Sequence, residues 1–500
     1  MPPILVGALC QFRRLEFSKR LRICLAFSAI VSLFSLYFVH ANIPPQHFDG
    51  SSRLGTNQEN VPHVADPALS NFWVKLESHL EQAKPECSKI KANRFCSLDG
   101  QFNPLPIDIS FGACNPIDLI FQPGQHDHPR PDHIKMDEKN FACMQKSHDT
   151  MVASARSLAP TLPYQNGTSG IVMMGGGQFN FLVLLSLRML RRSGSKLPVQ
   201  VFLANAGEYD DVMCNEHFPA LNASCQILTT TLSATPNAAK ISQYQYKAFA
   251  ILFSSFENVF FLDADAFVAF NPDPIFTSTP FTTKGLVTWP DLWAETSSPL
   301  FFKMANIPVT PVSRYSSDSG VLLYSKRKHA ASLILATYYN YYGPNFYYPL
   351  LSQGAHGQGD KETYLHAALA LGLDAWHVKT PLWQIGTWNK RKFSRIGMGQ
   401  HWPHDDYAIS AGANKRVRPF VLHINNPFKM VPSKMFGFWT PTRKSGKRVR
   451  IMGTKASMKE WFGYDVEAVA WGEMKKLACE LGMECSKVTE YYDSVFQHAA

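Results

Sequence analysis

The sequence predicts an α/β domain with a mainly parallel sheet, preceded by an N-terminal membrane anchor and a stem. Three observations carry that expectation. A charge-free apolar stretch, ICLAFSAIVSLFSLYFV, lies between Arg22 and His40. From Gly170 onward, short apolar runs alternate with helix-periodic segments, the pattern of strands joined by crossover helices. One such run, Asn258-Val-Phe-Phe-Leu262, ends directly at the acidic triplet Asp263-Ala264-Asp265.

Residues 1–22 form the expected cytoplasmic tail. Arg13, Arg14, Lys19, Arg20 and Arg22 precede the apolar run Ile23–Val39, taken as the anchor. Basic residues on that side place it in the cytoplasm and the rest of the chain in the lumen, a type II topology. Seventeen residues is at the short end of a bilayer span and suits a thin, early-secretory membrane. A cleaved signal peptide is the competing reading. His40-Ala41-Asn42 matches a small-residue cleavage site poorly, so the anchor is favoured.

Eight of the ten cysteines lie beyond the anchor: Cys87, Cys96, Cys114, Cys143, Cys214, Cys225, Cys479 and Cys485. An even number in an oxidising lumen points to disulfides, with Cys214 and Cys225 a close pair, although spacing does not fix connectivity. The spacings do not match zinc motifs. Sequons at Asn166 (NGT) and Asn222 (NAS) fit the same route. The formal charge is +10. With an anchor and lumenal cysteines, it argues for acidic diphosphates or glycans as partners and against nucleic acid.

Residues 40–162 read as a lumenal stem, rich in Pro, His, Asn and Ser. Phe72 to Leu80 has helical periodicity, and the His-rich segment 121–133 reads as a solvated loop. Residues 163–500 read as the folded domain. Ile171–Met174 is a strand ended by Gly175-Gly176-Gly177. A helix follows from about Phe179 to Arg192, with Gly194 as its stop. Further strands are expected at Val199–Leu203, Cys225–Leu228, Asn258–Leu262, Gly320–Tyr324 and Phe420–Ile424. Helices are expected near 245–255, 328–339, 361–371 and 466–481, the last closed by Gly482.

Open α/β sheets bind ligands beyond the carboxyl ends of their strands. Asp263 and Asp265 stand at such an end. Two carboxylates at this spacing on extended backbone point the same way and suit one hard divalent cation, Mg²⁺ or Mn²⁺. A cap or turn after the strand is the plain structural alternative. The strand context and topology favour metal. Gly175 and Gly176 offer backbone amides to a nucleotide, with a tight turn as the equal alternative, since the dinucleotide fingerprint is absent. Asp360, in Gly359-Asp360-Lys361-Glu362, either approaches a sugar from a flexible loop or caps a helix. Tyr339–Tyr348, and Trp289 with Asp291 and Trp293, are candidate walls for sugar rings, with aromatic core packing as the alternative. The basic run 443–450 reads as a solvated loop.

Several segments, in this order along the chain, look like one known set: Gly170-Ile-Val-Met-Met-Gly-Gly-Gly, Ser195-Lys-Leu-Pro-Val-Gln-Val-Phe-Leu, Tyr244-Gln-Tyr-Lys-Ala-Phe-Ala-Ile-Leu, Ser254-Ser-Phe-Glu-Asn-Val-Phe-Phe-Leu-Asp-Ala-Asp and Gly357-Gln-Gly-Asp-Lys-Glu-Thr. Together they resemble the fungal Golgi α-mannosyltransferases that build cell-wall mannan, and more closely the α-1,2 branch. The resemblance covers about Gly170 to Lys429. It implies a GT-A-like nucleotide-sugar-binding domain, GDP-mannose as donor, Mn²⁺ as cofactor, a mannosylated glycan acceptor and retention of configuration. It also implies Golgi membrane residence and association with other Golgi mannosyltransferases.

Carried over residue by residue, the resemblance makes Asp263 and Asp265 the metal and nucleotide motif and His423 the third metal ligand. Lys247 would reach donor phosphate. Asp318, where the family often has glutamate, and Asp360 would be catalytic, with Asp360 beside the reacting carbon. Alternatives within the same reading are an α-1,3 linkage or a non-catalytic Golgi glycan-binding scaffold. A glycosidase fits less well, because two carboxylates on one strand end do not face each other across a bond.

Overall fold

A computed structural model describes residues 66–90, 130, 132–236, 241–308, 312–355, 357, 359–389, 392–425, 429–438 and 446–497. The expected tail and anchor, most of the 121–133 loop, Cys96, Cys114 and the start of the basic run lie outside these residues. Among the described residues no helix is long and apolar enough to cross a membrane.

Eleven strands form two sheets among the described residues. They are β1 (Gln165–Met174), β2 (Val199–Leu203), β3 (Ala223–Ile227), β4 (Phe256–Leu262), β5 (Ala266–Val268), β6 (Leu286–Ala294), β7 (Tyr315–Ser325), β8 (Trp376–His377), β9 (Trp383–Asn389), β10 (Lys392–His401) and β11 (Pro419–His423). The larger sheet has the order β3-β2-β1-β4-β7-β6-β8. Its pairings are parallel except where β7 runs against β4 and β6. The expected mainly parallel sheet is therefore present as a mixed sheet. The second sheet is antiparallel, in the order β5-β11-β10-β9.

Both faces of the larger sheet are covered, which is why its strands read as continuous apolar runs. Alternate residues serve opposite cores. Ile171, Met173, Phe260 and Leu262 belong to one cluster with helix α3 (Asn180–Arg192) and helix α7 (Val466–Glu480). Val172, Val259 and Phe261 belong to the other, with helix α4 (Gln245–Phe253) and helix α5 (Lys326–Tyr341).

The second cluster extends into the segment assigned to the stem. Helix α1 (Pro67–Gln82) buries Phe72, Trp73, Leu76 and Leu80, and helix α2 (Glu138–Leu158) buries Met144, Met151 and Leu158. Trp73 packs edge-on against Phe249 at 5.8 Å, and its indole N–H donates to the Leu232 carbonyl at 3.1 Å. The Cys87–Cys143 disulfide joins the two helical segments, and the Tyr338 hydroxyl donates to the Ala83 carbonyl at 2.9 Å. Residue 162 is therefore not a packing boundary. The stripe on α2 includes Ser147, His148 and Ser154, so hydropathy alone hides it.

The expected pair Cys214–Cys225 is bonded, and Cys479 is bonded to Cys485. Asn166 and Asn222 are both exposed. The aromatic run Tyr339–Tyr348 is not a sugar-binding wall. Tyr338, Tyr339 and Tyr347 are fully buried, with the Tyr339 and Tyr347 rings 4.6 Å apart. Trp289 is equally buried and donates to the His401 carbonyl.

Trp73→Ala should lower stability by about 3–5 kcal/mol, the usual loss for a buried Trp truncation. Denaturant unfolding of the purified chain measures it. Stability equal to the parent would mean that α1 is an appendage.

Candidate metal and donor site

The sheet order changes direction between β1 and β4, since β2 and β3 lie on one side of β1 and β4 on the other. A crevice opens beyond the strand ends at such a point. Asp263-Ala264-Asp265 lies there, in the turn from β4 into β5 rather than on extended backbone. The Asp263 N–H donates to the Gly320 carbonyl at 2.9 Å, and the Ile424 N–H to the Asp265 carbonyl at 2.9 Å. These two bonds fix both ends of the triplet.

His423 reaches the triplet by register, because β11 pairs with β5 and sets His423 opposite Ala266. Its Nε2 lies 3.3 Å from Asp265 Oδ1 and 3.9 Å from Asp263 Oδ2. Ligand atoms of Asp263, Asp265 and His423 all fall within 4.8 Å of one another. Two carboxylates and an imidazole make an oxygen-and-nitrogen set that fits a divalent cation such as Mn²⁺. The three expected ligands therefore come together. Asp265 is buried, whereas the Asp263 side chain is 29% exposed.

Asp318 lies behind His423. Its Oδ2 is 3.3 Å from His423 Nδ1 and accepts from Gln400 at 2.7 Å, while its Oδ1 accepts from the Gly320 N–H at 2.8 Å. This carboxylate orients the imidazole and faces away from the acidic pair, an arrangement common behind metal-binding histidines. Burial opposes charge on both groups. The Asp318 and Asp265 carboxylates nonetheless hold His423 well above its ordinary pKa. His423 in turn helps to hold both carboxylates below theirs against burial.

Lys247, from α4, is not a surface lysine. It is buried, lies 3.2 Å from Asp263 Oδ1 and 3.3 Å from Asp360 Oδ2, and donates to the Ser319 carbonyl at 2.9 Å and hydroxyl at 3.0 Å. Burial works to lower its pKa, but Asp263 and Asp360 overcome this and raise it. Its ammonium is directed to protein oxygens rather than outward to a phosphate. Asp360 is not a helix cap either. Its carboxylate accepts from Ser319 at 3.1 Å and Tyr364 at 3.2 Å, ahead of helix α6 (Thr363–Ala370), which has no side-chain cap.

The glycine loop also differs from expectation. The Gly175 N–H donates to the Phe202 carbonyl and the Gly176 N–H to Asn180 Oδ1, so neither amide faces a ligand. Gly176 has φ 99°, and a Cβ there would lie 2.3 Å from a Glu208 carboxylate oxygen. The glycine is required both by its left-handed backbone and by the approach of Glu208.

Sequence reasoning missed four partners. Lys429 is ion-paired with Asp265. Ser319 and Gln400 bind Lys247 and Asp318 as described, and Glu208 borders the glycine loop. Only Lys429 carried a signal, as a lysine shortly after His423. A second acid–imidazole cluster, Glu295, Glu362 and His366, is fully buried. Glu362 accepts from Ser316 at 2.5 Å and from the Ser317 N–H at 3.1 Å, and Arg130 pairs with Glu295. That cluster ties α6 to the start of β7.

The family model described as "Mannosyltransferase putative" matches residues 168–315 and 309–402. The chain is 38% identical over 325 residues to alpha-1,2-mannosyltransferase MNN24 of Candida albicans, covering 56% of this chain and 45% of that protein. It is 33% identical over 440 residues to MNN21 of the same organism, covering 73% and 66%. It is also 33% identical to MNN2 of Saccharomyces cerevisiae, covering 58% and 57%. The chain spans about half the length of the curated relatives it matches. Among solved structures, galactosyltransferase LgtC overlaps 42% of this chain and 73% of its own, at 12% identity and TM-score 0.28. Mouse xyloside xylosyltransferase 1 overlaps 41% and 83%, at 15% identity and TM-score 0.25. Neither overlap carries an assignment.

At Gly320 a Cβ would lie 2.4 Å from His423 Cε1 and 3.0 Å from Asp263 Oδ2. If the triad holds Mn²⁺, Gly320→Ala should weaken its binding roughly tenfold or more, the scale seen when groups supporting metal ligands are disturbed, with the fold retained. Calorimetric titration with Mn²⁺, alongside circular dichroism, reads both. Unchanged affinity would detach His423 from the metal.

Proposed function

Since the chain belongs to the fungal mannosyltransferase family, we propose that it transfers mannose from GDP-mannose to a mannosylated glycan, retaining configuration and forming α-1,2 linkages. The observation that carries this reading is the convergence of Asp263, Asp265 and His423 at the end of β4, with Lys429 beside them. We also propose a GT-A-like domain on a single-pass Golgi membrane protein, with the catalytic part in the lumen and other mannosyltransferases as partners. Three disulfides among the described residues and two exposed sequons support the lumenal placement. The anchor itself rests on the apolar run 23–39.

Asp263, Asp265 and His423 would hold the cation, which when bound supplies Lewis-acid neutralisation of the departing diphosphate. The chain's own residues do the rest. Asp318 and Gln400 fix the imidazole so that Nε2 faces the carboxylate pair. Lys429, half exposed on its bond to Asp265, adds positive charge where the diphosphate departs. Glu208, pressed against the glycine loop, suits donors such as ribose hydroxyls or the guanine N–H edge.

Both oxygens of Asp360 are occupied by Ser319, Tyr364 and Lys247. That favours a positioning role over attack on the sugar, and hence a front-face transfer. In that route the bond from anomeric carbon to phosphate oxygen breaks, the acceptor oxygen bonds on the same face, and its proton passes to the diphosphate. A nucleophilic Asp360 would have to leave its ion pair with Lys247 first.

Two outcomes test this. Asp265→Asn should lower transfer from GDP-mannose to a short α-mannoside by roughly 10²–10³-fold, the scale of losing one preorganised electrostatic partner. Near-parental activity would remove the site. Linkage analysis of the product should give α-1,2. An α-1,3 product would select the sibling activity, and absence of both transfer and GDP binding would select the scaffold.

Lys429→Ala should reduce kcat more than it raises the donor KM, because its charge serves the developing diphosphate. Steady-state kinetics reads the split, and an effect confined to KM would assign it to donor binding.

A further inference from the structure

The β9–β10 hairpin carries a surface that the sequence did not reveal. Its base is fixed by register, since Met398 pairs with His423 on one side and Gln384 on the other. Trp388 stands four residues beyond Gln384, about 13 Å further along the strand at 3.3 Å per residue. It is 66% exposed, the most exposed of the large hydrophobic side chains among the described residues.

Across the hairpin Trp388 pairs with Phe393, and Gly386 pairs with Arg395. Residues two apart on a strand share a face, so these four lie on one side. The rings of Trp388 and Phe393 are 5.2 Å apart. Phe393 lies over Gly386, where a Cβ would come within 2.8 Å of its ring. The Arg395 guanidinium stacks over Trp293 at 6.0 Å. His423, Met398 and Gln384 are directly opposite one another across three strands and so share a face, and Gly386 and Trp388 continue that face along β9 away from the acidic cluster.

Resting on the mannosyltransferase reading, we propose that this face binds the acceptor: it holds the sugars that precede the receiving one in a neutral α-mannoside chain of several residues. A pyranose has an apolar C–H face bordered by hydroxyls. Flat aromatic rings match the first, and a guanidinium with fixed donors matches the second. Aromatic rings and arginine also occur at the centres of protein interfaces, and a chain that soluble mannan does not retard would point to a protein partner instead. The occupant is a chain rather than a single sugar, because Trp388 lies too far along the hairpin to touch a ring at the acidic cluster.

The test pairs a kinetic ratio with a binding assay. The purified lumenal chain is given GDP-mannose with either methyl α-mannoside or a linear α-mannoside of several residues. Migration is followed by native electrophoresis through soluble mannan, with dextran as control. Wild type should prefer the longer acceptor and be retarded by mannan but not dextran. Trp388→Ala should lower the long-to-short ratio of kcat/KM on the order of tenfold and abolish retardation. Phe393→Ala should do the same, and Trp388→Phe should restore most of both.

An unchanged ratio and retardation in Trp388→Ala would overturn the assignment, as would a wild type that mannan does not retard or that dextran retards equally. Wild-type retardation lost in Trp388→Ala, without transfer from GDP-mannose, would instead defeat the enzymatic reading and leave the glycan surface standing.

Discussion

Buried negative charge and its neutralisation organise this molecule. Asp265, Asp318 and Asp360 are buried within reach of one another's partners, and Asp263 stands partly exposed beside them. Carboxylates taken out of water are costly unless paired and hydrogen-bonded. Lys247, Lys429 and the His423 imidazole provide the pairing. Lys247 joins Asp263 to Asp360, His423 joins Asp265 to Asp318, and Lys429 closes the outer side of Asp265. Four carboxylates against two ammoniums and one imidazole leave the cluster short of positive charge when the imidazole is neutral. Under the proposed function, a bound divalent cation would supply the missing positive charge.

The topology explains how such a cluster is assembled. Parallel strands deliver their ends to one edge of the sheet, so β1 and β4 bring the glycine loop and the acidic turn together. An antiparallel neighbour delivers its beginning at the same edge. β7 therefore contributes Asp318, Ser319 and Gly320, which precede its apolar half. The turn through Asp263 and Asp265 then passes the chain into β5 of the second sheet, and pairing with β11 places His423. Each residue arrives by a separate backbone constraint, and Gly320 lets the imidazole close on the carboxylates.

Much of this was legible in the sequence because its signals were local. The strand before Asp263 is a run of buried apolar residues bounded by acids, and α3 and α7 are closed by the glycine stops Gly194 and Gly482. The ligand triad was legible through the resemblance, since nothing near His423 alone marks it. Other features depended on tertiary contacts. Lys247 reads as an ordinary helix lysine until Ser319 and Asp360 close around it. Asp318 reads as a catalytic acid until Gln400 and His423 take its oxygens. The second stripe of the stem segment uses Ser147, His148 and Ser154, so its burial leaves no hydropathy signal. The tyrosine-rich run looked like a sugar platform because composition does not distinguish a buried aromatic from an exposed one.

The register of the second sheet divides labour along one hairpin. Its base, at Met398, is locked to the strand carrying His423, and a slip there would turn every side chain to the opposite face. Among the described residues, Trp388 and Phe393 meet through a cross-strand pair and a ring contact at 5.2 Å, about 13 Å along the strand from that base. Substitutions or insertions near Trp388 can therefore accumulate across generations without disturbing the chemistry at the base. A lineage of duplicated genes would be free to explore new acceptors through the tip while inheriting an unaltered catalytic centre.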